Sequence, residues 1–127
     1  MHPHPTKRAP LVLAALALLV ASPLGAGEQL TIRVSPNVAF APATVVVNAV
    51  AQRDAANRAL EIQLVSSEYS RSSLIQLDGD QAAVTTTVRY DGVPGGVYEV
   101  SAMLLGSGGQ KRATTARTVE ILSNTGR

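Results

Sequence analysis

The chain has no cysteine and no tryptophan, one phenylalanine and three tyrosines among 127 residues. Without thiols it can form no disulfide, offer no thiolate nucleophile and hold no cysteine-ligated zinc. Its two histidines, His2 and His4, sit at the extreme N-terminus, so the body of the chain also lacks the side chain most used for general-base work. Only Lys7 and Lys111 are lysines. A serine–lysine dyad would have to use Lys111, which follows a glycine-rich turn where nothing would bury it and depress its pKa. The basic residues from Arg33 to Arg117 are scattered, with only Lys111 and Arg112 adjacent. A nucleic-acid binder would concentrate them in a patch, and none is expected here. The few rings, Phe40, Tyr69, Tyr90 and Tyr98, leave little for a sugar-stacking platform. These gaps together exclude most catalytic classes, and no enzyme activity, cofactor or metal is expected.

What is present begins with a leader. Lys7 and Arg8 precede an apolar run over residues 11–21, followed by Ser22, Pro23 and the small residues Gly25, Ala26 and Gly27. That is the order of a secretory signal peptide: positive start, apolar middle, small residues at the cut. The run is too short for a membrane span, which needs about 20 apolar residues. Cleavage after Gly27 is expected, making residues 1–27 a signal peptide and Glu28 the new N-terminus, with no membrane span left afterwards. Losing Lys7 and Arg8 brings the basic residues level with the nine acidic ones. The remaining chain, roughly 100 residues, suffices for one domain over residues 28–123, with a short disordered tail at 124–127. Arginine-rich, alanine-rich composition suits a bacterial protein that is exported, either periplasmic or secreted.

Beyond the leader, apolar residues alternate with polar ones at the period of a half-buried strand. Leu30, Ile32 and Val34 alternate with Thr31 and Arg33, and Pro36 ends the run. The same pattern runs over Val45, Val47 and Ala49, over Leu60, Ile62 and Leu64, over Val84 to Tyr90, and over Tyr98 to Leu104. Residues 69–77 read as an edge strand carrying Ile75 and Leu77 inward, and Val119 with Ile121 closes the core from the last strand. Asp78 and Gly79 read as a hairpin turn, and the stretch from Asp91 to Gly96 as a turn cluster. Seven short strands with regular turn signals predict a two-sheet sandwich. The expected division puts the first, second, fourth and fifth strands in one sheet and the third, sixth and seventh in the other, with Phe40, Tyr90 and Tyr98 as core aromatics.

Gly95, Gly96, Val97, Tyr98, Glu99 and Val100 resemble the corner between the fifth and sixth strands of bacterial immunoglobulin-like and fibronectin type III-like β-sandwich domains, and Val119 to Ile121 is similar to their closing strand. The resemblance implies that Tyr98, entered through Gly96, turns its hydroxyl onto nearby backbone to lock the crossing. It departs from the antibody pattern: Val100 stands where the second cysteine would be, and Leu60 and Ile62 fill the layer of the tryptophan. The fold expected is thus all-β, a seven-stranded antiparallel immunoglobulin-like β-sandwich preceded by a cleaved signal peptide. Such architectures serve mostly for adhesion, scaffolding and partner binding.

Two functional readings follow. The first is a non-catalytic binding or accessory module that docks a protein partner in the cell envelope, or another secreted protein, through a sheet face or edge strand. Its candidate interface is Val65, Tyr69, Arg71, Leu74 and Met103, because tyrosine, methionine and arginine are enriched in interface cores. The alternative is a loop-end site for a cation or glycan. Asp78 and Asp80 supply too few oxygens for calcium, and Asp54 and Asp91 could join them only if loops converge.

Overall fold

A computed structural model describes residues 29–123. The leader assigned to residues 1–27 and the tail at 124–127 lie outside the described residues. The chain runs through β1 (Leu30–Ser35), β2 (Val38–Phe40), β3 (Ala43–Ala51), β4 (Ala59–Val65), β5 (Ser70–Gln76), β6 (Thr85–Val93), β7 (Gly96–Leu105) and β8 (Lys111–Leu122), with one 3₁₀ turn at Gly79–Gln81. The strands make two sheets, a three-stranded one in the order β1-β3-β6 and a five-stranded one in the order β2-β8-β7-β4-β5.

Alternation decides which side of each strand is inside. Leu30, Ile32 and Val34 of β1 are buried and their neighbours exposed. Val45, Val47 and Ala49 of β3, beside them in the same sheet, join one core with Leu60, Ile62 and Leu64 of β4 and Val100, Ala102 and Leu104 of β7 from the other sheet. Each valine, leucine or isoleucine among them contributes about 1.5–3 kcal/mol of burial, which lets a domain without disulfides stand. Tyr90 and Tyr98 join this core, at 2 % and 0 % exposure.

Several expectations need correction. The fourth expected strand, β5, belongs to the other sheet: it pairs with β4 from Ala59↔Gln76 to Val65↔Ser70. Asp78 and Gly79 therefore do not close a hairpin but lie in a link that crosses from one sheet to the other. Gly79 is still required there, because its φ is +55° and a Cβ would lie 3.0 Å from the Ala55 carbonyl oxygen. A strand absent from the sequence reading, β2, lies parallel to β8 from Val38↔Glu120 to Phe40↔Leu122. Proline at 36 cannot donate to a ladder, so the chain leaves β1's sheet there and joins the opposite one. Phe40 is not a core ring: on this three-residue strand Ala39 points in, and Phe40 is 65 % exposed. The turn cluster is also shorter than expected. β6 continues through a bulge opposite Thr44, taken up by Gly92 at φ +69°, and buries Val93 before turning at Pro94. Finally, β8 is far longer than Val119 to Ile121. Its first half carries alanine, threonine and arginine at inward positions, because three strands cannot cover the whole of a five-stranded sheet.

The 52–58 connection is held by Asn57, the one buried polar side chain among the described residues. Its amide nitrogen donates to the Gln52 carbonyl at 3.0 Å, and its Oδ1 accepts from Arg112 Nε at 3.1 Å. Arg112 also pairs with Asp54 at 3.1 Å.

Candidate functional site

The outer face of the five-stranded sheet reads off the strand register. One row across it is Leu74, Glu61 and Met103, and the next is Ser72, Gln63 and Ser101. Then come Val65, Glu99 and Thr118, and after them Val97, Glu120 and Val38. Leu122 and Phe40 form the last row. This face is acidic along its middle, through Glu61, Glu99 and Glu120, and apolar at one corner. Val38, Phe40 and Val97 are 56 %, 65 % and 62 % exposed. Val97 and Val38 flank Glu120 in one row and Phe40 lies beside Leu122 in the next, so the corner is apolar around a single carboxylate. Clustered exposed apolar side chains rimmed by polar ones mark interaction sites where isolated ones do not.

The five residues singled out from sequence divide between two places. Val65, Leu74 and Met103 lie on this outer face, separated from one another by Glu61, Gln63, Glu99 and Ser101. Tyr69 and Arg71 lie on the other side of β5, at the rim of the core. There the Arg71 guanidinium donates to the Tyr69 hydroxyl at 3.2 Å and stacks 5.3 Å from the Tyr90 ring centre. Tyr69 meets Tyr98 edge to face, with ring centres 6.2 Å apart. Tyr90 hydrogen-bonds Ser73 Oγ at 2.8 Å. β5 can carry serine and arginine at these inward positions because it hangs beyond the edge of the smaller sheet. Val38, Phe40 and Val97 escaped the sequence reading because β2 is too short to show alternation and Phe40 invites assignment to the core.

At the corner itself, the Tyr98 hydroxyl donates to the Pro94 carbonyl at 2.8 Å. Burial pushes its pKa above the ordinary tyrosine value. Gly95 precedes it against Ser123, whose Cα would stand 3.1 Å from a Cβ at position 95.

The acidic residues considered for a cation are dispersed. Asp54 and Asp91 sit near opposite ends of β3: Asp54 is paired with Arg112, whereas Asp91 accepts from Thr44 Oγ1 at 2.9 Å and from Arg89 Nε at 3.0 Å. Those two bonds hold the Asp91 carboxyl below its ordinary pKa. Asp78 and Asp80 flank the buried Gly79 in the 3₁₀ turn. Among the described residues no three His, Cys, Asp or Glu side chains gather as a metal site.

No protein-family model and no curated protein matches the chain. Among solved structures it is similar to part of a family 76 glycoside hydrolase from a bovine Bacteroides thetaiotaomicron strain, with TM-score 0.52 and 15 % identity over 72 % of this chain. The match spans only 20 % of that enzyme's chain. It is also similar to a superoxide reductase (neelaredoxin) from Ignicoccus hospitalis, with TM-score 0.51 and 12 % identity, covering 74 % of this chain and 80 % of that one. At these identities the likeness is one of fold.

Proposed function

We propose that this protein is an exported, non-catalytic, immunoglobulin-like binding module that docks an envelope or secreted protein through the outer face of its five-stranded sheet. The observation that carries the reading is the apolar corner of Val38, Phe40 and Val97 on an otherwise acidic face. Apolar anchors ringed by polar residues are the usual arrangement of a contact centre. Val65, Leu74 and Met103 extend the same face. The signal-peptide pattern ahead of residue 28 supplies the route to the envelope.

Site-specific photocrosslinking in the producing cell tests this. A photoreactive residue at Val97 should give a discrete adduct with one protein, and the same residue at Thr85, on the outer face of the other sheet, should give none. Identical adduct patterns from both positions, or no adduct at Val97, would contradict the proposal.

A further inference from the structure

The flank of the sandwich away from β5 is open. β1 is the outer strand of the three-stranded sheet, and β2 covers β8 only from Glu120 to Leu122. The remainder of β8 has a strand neighbour on the β7 side alone. Between these two edges lies a groove of about 890 Å³, walled by β1 with Asn48 and Val50 on one side and by Arg117 and Thr118 on the other.

Its polar chemistry is that of a donor. Arg33 and Arg117 line it, both exposed, and no aspartate or glutamate does. The two ion pairs among the described residues use Arg89 and Arg112, so neither groove arginine has a carboxylate partner there. Asn48 stands between Arg33 and Thr87 in one cross-strand row. Its Oδ1 accepts from Thr87 Oγ1 at 2.6 Å, which leaves its amide N–H groups as donors for a ligand. β1 pairs with β3 without a break from Leu30↔Ala51 to Ser35↔Val46. It carries no proline or bulge to discourage another strand, and an unguarded edge is a template for pairing.

We propose that this groove takes an extended acidic peptide segment of a partner, added as a strand along β1, with its carboxylates on Arg33 and Arg117. Main-chain bonds to the free edge supply the register and the arginines select the charge, as strand-addition sites do. The groove lies between the edges of the two sheets and includes none of Val38, Phe40 and Val97, so it is tested separately from the apolar corner.

The test is a fluorescence titration of the purified protein with a labelled peptide alternating glutamate and valine. Saturable binding that weakens as salt is raised is expected. Arg33→Ala and Arg117→Ala should each weaken it roughly two- to fivefold, the range of exposed ion pairs. An R33E and R117E double variant should prefer a peptide alternating lysine and valine, and N-methylation along one edge of the acidic peptide should abolish binding. Absence of saturable binding, or equal binding of the lysine peptide by the unaltered protein, overturns the proposal. So does undiminished binding of the N-methylated peptide, or full competition by inorganic phosphate, since either would leave a point-charge site without strand addition.

Discussion

Tyr98 is fully buried, yet its hydroxyl reaches the Pro94 carbonyl across the β6–β7 turn. Tyr98→Phe keeps the ring and its edge-to-face contact with Tyr69 while stranding that carbonyl, and should cost about 1–3 kcal/mol in urea unfolding. Tyr69→Phe is the internal control. Its hydroxyl meets the exposed Arg71, so the loss should stay under about 0.5 kcal/mol. Equal costs would mean that the corner does not lock the crossing. Alkaline pH gives a second readout. Burial raises the folded pKa of Tyr98 above the unfolded value of 10.0, so the folded chain holds that proton longer. Stability linked to it is intact below pH 10 and falls as pH rises through the folded value. The loss above pH 10 should therefore be steeper in the unaltered protein than in Tyr98→Phe, and parallel alkaline profiles would refute the linkage.

Among the elements, the link from β5 to β6 decides the topology, because it carries the chain from one sheet to the other. Gly79 at its start combines φ +55° with a close approach to Ala55, whereas Gly92, at φ +69°, has nothing within 4 Å of an added Cβ. Gly79→Ala should therefore destabilise by more than about 1 kcal/mol, and by more than Gly92→Ala, in the same denaturation experiment. The reverse order would place the crossing elsewhere. This link also shows where sequence reading stops. Aliphatic alternation made the inward sets of β1, β3, β4 and β7 legible, since both faces of those strands meet fixed environments. β5 was legible as an edge strand but was placed in the wrong sheet, because Arg71, Ser73 and Ile75 look the same beside β4 as beside β6. The long first half of β8 was illegible for a related reason: its inward side is only partly covered, so burial left little mark there.

For the whole molecule, two sheets of unequal width explain both candidate surfaces. The smaller sheet leaves β5 and β8 overhanging, and the passage of the chain through Pro36 puts β2 on the larger sheet, with Val38 and Phe40 outward across β8 from Val97. The absence of cysteine and the confinement of histidine to His2 and His4 limited the chemistry legible in the sequence, and the alternating strands made the layers legible. The apolar corner was not, because it depends on a three-residue strand placed by tertiary structure. The decisive experiment combines stability with contact. A double variant, Phe40→Ser with Val97→Ser, carries a photoreactive residue at Val38. If the corner is an interface and not part of the core, the double variant unfolds within about 0.5 kcal/mol of a protein with the photoreactive residue alone, and its Val38 adduct disappears. An adduct of undiminished yield in a folded double variant, or a collapse in stability, would show that the corner is not a docking surface.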